Sequence, residues 1–243
     1  MKSTLFRLTS LGVVALACAL SGAVLTHGRA ATQRYSRMPL TAYFMPHAAE
    51  IALARSAAPK SISAHASVMV LTAHGYVTAV KGSNGFTCLV SHGWDAPVDF
   101  PEFWNPKLRG PLCYNPEASR SVLSYDIERA KLVAAGLSRA QIYARVAALV
   151  AKHELPDPAN GSISYMMSKQ QYLNDEAGNW YPHIMLHLTR AAGANGGANL
   201  GANLPGSPIF FDSSDTRMPE NESIFYIPVR WWSDGSPAPK MKP

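Results

Sequence analysis

Apolar positions follow two rhythms along this chain, and each marks a different element. Pro46 precedes His47-Ala-Ala-Glu-Ile-Ala-Leu-Ala-Arg55, a short helical segment with proline where its missing N–H costs nothing, and Pro59 ends it. Ser67-Val-Met-Val-Leu-Thr72, Tyr76-Val-Thr-Ala-Val80 and Phe86-Thr-Cys-Leu-Val-Ser91 are β-branched-rich runs separated by Ala73-His74-Gly75 and Ser83-Asn84-Gly85. They predict three strands in an antiparallel meander. A helical period returns at Tyr125–Ala135, with Ser124 as the expected N-cap and Gly136 as the stop. Ser138-Arg-Ala-Gln141 matches a capping box, and Ile142, Val146, Leu149 and Val150 then recur on one face. The last third alternates again, over 162–168, 183–188, 209–211 and 224–232. The predicted class is α+β: an antiparallel sheet of about five to seven strands with two or three packed helices.

Residues 92–116 break both rhythms. Pro97, Pro101, Pro106, Pro111 and Pro116 predict a loop, since proline is excluded from helix interiors and central strands. The same stretch holds Trp94, Phe100, Phe103, Trp104 and Tyr114, rings that either pack onto the domain or present a surface to a ligand. Trp94 and Trp104 are expected to divide these roles, one beneath the loop and one in a groove beside Trp180 or His183. Gly193 to Leu204 is a three-copy Gly-Ala-Asn tetrapeptide array, too short for a solenoid unit and read as a flexible loop. Asn174 to Asn179 reads as a polar hairpin turn.

The N-terminus changes the setting. Lys2 and Arg7 precede the apolar run Leu11–Leu20, and small residues follow at Ser21, Gly22 and Ala23, which is the layout of a secretory signal peptide. This gives the domain plan: signal peptide 1–30, one α+β domain 31–236, and a disordered tail 237–243. The expected location is periplasmic or secreted. The alternative is an uncleaved anchor, since Leu8–Leu25 is 18 residues, near the lower limit for a span. In that case membrane contact comes only through the leader. Cys18 lies inside the apolar run rather than at its end, unlike a lipid-modified cysteine. Without Lys2, Arg7 and Arg29, the 22 basic residues fall to 19 against 16 acidic, with no basic block.

Two cysteines then remain, Cys88 and Cys113, and an even pair in an exported chain predicts a disulfide. A catalytic thiol is the alternative, needing a nearby base and protection from oxidation.

Candidate chemistry is sparse. His183 and His187 are four apart; a helix would bring them about 6 Å apart for a shared metal, whereas a strand separates them by roughly 13 Å. Ile184, Leu186 and Leu188 alternate with His183, Met185 and His187, so the strand is preferred and no metal site is predicted. His92, Asp95, Asp99 and Glu102 cluster in the proline-rich stretch without calcium-loop spacing, and read as turn residues. Ala134 to Tyr143 resembles the helix-turn-helix segment of repressors of the tetracycline-repressor type. Any Gly-stopped helix followed by a Ser-capped one has the same pattern, and the leader separates it from DNA, so no nucleic-acid partner is expected. Gly-x-Ser-x-Gly, Gly-Lys-Ser/Thr and Cys-x-x-Cys are missing, and no cofactor is implied. The expected function is a ligand-binding or interaction module for a small ligand or an envelope component, with Trp94, Trp104 and Trp180 as binding residues. The alternative is a hydrolase with His183 or His92 as general base.

Overall fold

The computed structural model describes residues 34–195, 207–209 and 217–240. The leader and residues 196–204 of the repeat lie outside them. The domain is α+β, built on one seven-stranded sheet. Two short helices, α1 (His47–Arg55) and α2 (Lys60–Ser63), lead into β1 (Ser67–Thr72), β2 (Gly75–Val80) and β3 (Thr87–Ser91). β4 (Gly110–Tyr114) precedes α3 (Pro116–Arg120), α4 (Leu123–Ala134) and α5 (Arg139–Ala151). β5 (Ile163–Met166), β6 (His183–Leu188), α6 (Arg190–Asn195) and β7 (Ser223–Pro228) complete the chain. The strand order is β2-β1-β3-β4-β5-β6-β7.

The expected meander is corrected at its third strand. β1 and β2 form the hairpin, but β3 lies on the other side of β1 and pairs with it in parallel, Val68 opposite Cys88. The 81–86 connection crosses back past the hairpin, and Ser67 N–H bonds to the Phe86 carbonyl. The remaining neighbours are antiparallel.

Proline also failed as a strand breaker. Pro111 stands opposite Val90 inside β4, a central strand. The ladder from β4 to β5 covers only Cys113 and Tyr114, so Pro111 sits where that side asks for no donor. Cys88 and Cys113 face each other across β3 and β4, with Cα atoms 4.0 Å apart, and form the disulfide. Closing a loop of this length contributes about 3 kcal/mol by the chain-entropy estimate.

One sheet face packs Val68, Val90 and both cysteines against Leu53, Ala54 and Ala57 of α1 and its C-terminal turn. The opposite face packs Met69, Leu71, Leu89 and Leu112 against α4 residues Ala130 and Val133. α4 begins two residues before its expected start: Ser124 is already helical, bonding back to the Ser121 carbonyl, and does not cap. Its end is as expected. Gly136 takes φ +92°, and Leu137 N–H reaches the Leu132 carbonyl. α5 starts on the capping box, with Ser138 N–H on Gln141 Oε1 at 2.9 Å.

The carboxyl-terminal third differs in detail. Ile209 makes a single bridge to Phe225, and residues 210–211 lie outside the described ones. Gly193–Asn195 of the repeat belong to α6. The segment expected as a disordered tail is tied back at its start: Pro237 bridges Trp231 and Ala238 N–H bonds to the Arg230 carbonyl. Among the described residues no helix is long and apolar enough to cross a membrane.

Candidate functional site

The β4–β7 half of the sheet is not closed over by α4. Beneath the gap lies a cavity of about 720 Å³. Strand alternation fixes its floor. Tyr114 on β4, Met166 on β5, His183, Met185 and His187 on β6, and Ile224 and Tyr226 on β7 share one face. α4 adds Tyr125, Asp126 and Arg129, and the connections add His92, Asp95, Phe100, Trp180 and Glu222.

Each polar group has a defined environment. His183 Nδ1 lies 2.6 Å from the Tyr181 carbonyl. A carbonyl only accepts, so Nδ1 carries the proton and Nε2 is left as an acceptor. Its ring stacks on Tyr226 at 3.9 Å. Burial lowers its pKa to about 4, so the ring is neutral at ordinary pH. His187 stands between Ser164 Oγ, 2.8 Å from Nε2, and Glu222 Oε1, 2.6 Å from Nδ1. Asp126 Oδ2 accepts a 2.5 Å bond from the Tyr114 hydroxyl. Desolvation, with Asp95 facing it, raises the Asp126 pKa well above the carboxylate range. Asp95 accepts from His92 N–H through Oδ2, while its Oδ1 is buried without a partner. Burial raises the Asp95 pKa to about 7.

Two arginines, Arg129 and Arg217, line the cavity, and Arg129 is fixed in place. Nε and Nη2 make a bidentate pair with Glu220, at 2.7 and 2.8 Å. Nη1 bonds to the Trp94 and Ala96 carbonyls, and the second Nη2 proton reaches Met218 Sδ. All five donors are committed.

The residues singled out in the sequence scatter. His183, His92, Asp95 and Trp180 meet in the cavity wall. Glu102 is buried elsewhere, accepting from Asn105 and Arg34. Trp94 and Trp104 correct the expectation set for them: both are buried, at 0% and 3% exposure, and neither lines the cavity. They act as core. Only Phe100 and Tyr114 among that stretch's aromatics, with Trp180 from the β5–β6 connection, reach the wall. His183 and His187 lie on a strand, as the alternation required. Among the described residues no three His, Cys, Asp or Glu side chains could share a metal.

No protein-family model, curated protein or solved structure matches this chain. The site is therefore read from its own geometry. Asp126, Arg129, Glu220 and Glu222 were not singled out in the sequence. One signal for the helical pair was present: Asp126 and Arg129 are three apart, on the stripe that carries Ala130 and Val133 into the core.

The titration of His183 has a stability consequence. Its folded pKa of about 4 lies below the ordinary value of 6.5. The unfolded chain thus binds the proton first, and stability present above about pH 6.5 is lost as pH falls toward 4. Asp95 works in the opposite sense, since its raised pKa costs stability as pH rises from about 4 through 7. We expect His183→Gln to abolish the acid-side loss. Urea unfolding at pH 7 and pH 4.5 should show wild type losing on the order of 2–3 kcal/mol more than the variant. Equal losses would show that the ring is not held neutral by burial.

Proposed function

We propose that this domain is an exported binding module that takes a small, largely apolar ligand in the cavity on the β4–β7 face. The observation that carries this reading is the wall itself. A volume of about 720 Å³ is the size of a small-molecule site, and its surface is mostly apolar with a few polar groups converging from α4, β6 and the 92–95 turn. Export is supported by the leader pattern and the Cys88–Cys113 disulfide. Trp94 and Trp104 no longer support binding; Trp180, Phe100 and Tyr226 replace them.

A second reading, a hydrolase, is favoured by one observation. Ser164, His187 and Glu222 form a hydroxyl–imidazole–carboxylate chain with hydrogen-bond spacing at both steps. Ser164, however, is wholly buried and does not line the cavity, so its hydroxyl does not meet anything bound there. His183 is a weak base at a pKa of about 4, far from the operating range that general-base catalysis favours. The chain reads better as a satisfied buried network.

The test is a thermal-shift screen of apolar and amphipathic small molecules against wild type and Met185→Trp, which places an indole in the cavity. Hits should stabilise wild type by about 2.7 kcal/mol at a hundredfold excess over Kd and be lost in the variant. Hits that persist in a folded Met185→Trp protein would place binding elsewhere. Ester turnover abolished by Ser164→Ala would favour the hydrolase.

A further inference from the structure

The polar part of the cavity is unbalanced in a way that points to one ligand chemistry. Asp126 spends Oδ2 on the Tyr114 hydroxyl, and no described group bonds to its Oδ1. Asp95 spends Oδ2 on His92 N–H and keeps Oδ1 buried without a partner. His183, 2% exposed, presents its acceptor Nε2 because Nδ1 holds the Tyr181 carbonyl. Glu222 spends Oε1 on His187. Two arginines line the cavity and neither is free: Arg129 has all five N–H donors committed, two of them to Glu220, and Arg217 has an interaction of its own. Among the described residues, Asp126 Oδ1, Asp95 Oδ1 and His183 Nε2 are therefore acceptors without a donor, and the two aspartates have no ion-pair partner of their own.

We infer that the ligand carries a protonated amine, seated against Asp126 and Asp95 with its apolar body along Trp180, Phe100 and Met185. This rests on the binding reading above. An ammonium has three donors and no acceptor, the complement of these unpaired groups, and it supplies the charge that the two aspartates lack. The aromatic rings of Trp180 and Phe100 line the same cavity and suit a cation as well.

The same geometry sets the proton balance. Asp126 is faced by Asp95 from the 92–95 turn and Glu222 from the segment before β7, both of which hold its proton on. Arg129 and the Tyr114 hydroxyl oppose them. Asp95 is faced by Arg129 and Ser91, which favour ionisation, and by Glu220, which disfavours it. Without a ligand cation Asp126 and, in part, Asp95 retain their protons near neutral pH. Binding an ammonium ionises them: the O–H bond of the carboxyl breaks, the proton leaves to solvent, and a carboxylate–ammonium pair forms. Affinity for an amine should thus rise with pH from 5 to 8.

Three probes sharing one body separate the possibilities: 4-phenylbutylammonium, 4-phenylbutanol and 4-phenylbutyrate. Isothermal titration at pH 5 to 8, in two buffers of different ionisation heat, reads affinity and proton release together. We expect the ammonium to bind about tenfold tighter than the alcohol at pH 8, with net proton release near pH 7 and a shrinking advantage toward pH 5. The butyrate should be the weakest. Asp126→Asn, checked for folding by thermal melt, should bring the ammonium-to-alcohol ratio to about one. Equal or tighter binding of the alcohol or the butyrate, without proton release, overturns the amine inference and leaves the cavity reading standing. If none of the three binds while the wider screen gives hits blocked by Met185→Trp, the amine inference alone fails. If that screen also fails, both fall.

Discussion

Replacing Arg129 with alanine is expected to destabilise the domain by about 3–5 kcal/mol, the cost of stranding a buried partner of an ion pair. At this chain length that corresponds to a melting point lower by roughly 10 °C or more. The side chain is 4% exposed and Glu220 is not exposed at all, so neither charge is compensated by water once the other is gone. The loss goes beyond the pair. Arg129 also satisfies the Trp94 and Ala96 carbonyls, so one residue of α4 ties the 92–96 turn and the 218–220 segment to that helix. Glu220→Gln should cost less, because it removes the charge while keeping an acceptor for the guanidinium. A double variant, Arg129→Met with Glu220→Met, should recover a large part of the single loss, since a well-packed apolar pair avoids desolvation. Thermal and urea melts of the three proteins check this. A near-neutral Arg129→Ala would mean that water reaches the pair.

Trp94→Ala should cost a similar amount, about 3–5 kcal/mol, as a large aromatic lost from a core that cannot collapse onto the space. The indole stacks on His92 at 4.5 Å, meets Tyr43 edge-on at 4.9 Å and faces Trp104 at 6.5 Å. Its N–H is buried without a partner, which makes the substitution series informative. Trp94→Phe removes volume but also an unsatisfied donor, so it should cost well under half as much as alanine. Urea unfolding of both variants gives the comparison. Ligand affinity in the folded fraction should stay unchanged in Trp94→Phe, because the ring lies outside the cavity. A changed affinity with unchanged stability would return this residue to the binding surface.

These two residues show why the site was only partly legible. Aromatics among prolines marked 92–116 as unusual, but ring exposure depends on what packs over it, and Tyr43 and Arg37 come from more than fifty residues away. Gly93 explains part of the depth. A Cβ there would meet the Glu102 carbonyl at 2.1 Å, so the turn closes on itself and draws Trp94 inward. Arg129 and Glu220 are ninety-one positions apart, and no local spacing relates them.

Local chemistry was enough for much of the framework. The α+β class, the Cys88–Cys113 bond, the capping box at Ser138, the Gly136 stop and the alternation that makes 183–188 a strand all rest on near-neighbour sterics, side-chain period or a two-cysteine count. The path of β3 to the far side of β1, the admission of Pro111 to a central strand and the burial of both tryptophans depended on which strands end where. The cavity depended on this too. Its acids and histidines come from α4, β6, one turn and one connection, each polar for no local reason. Only their convergence under one sheet face, away from water, shifts the pKa values of His183, Asp95 and Asp126 and leaves acceptors waiting for a donor.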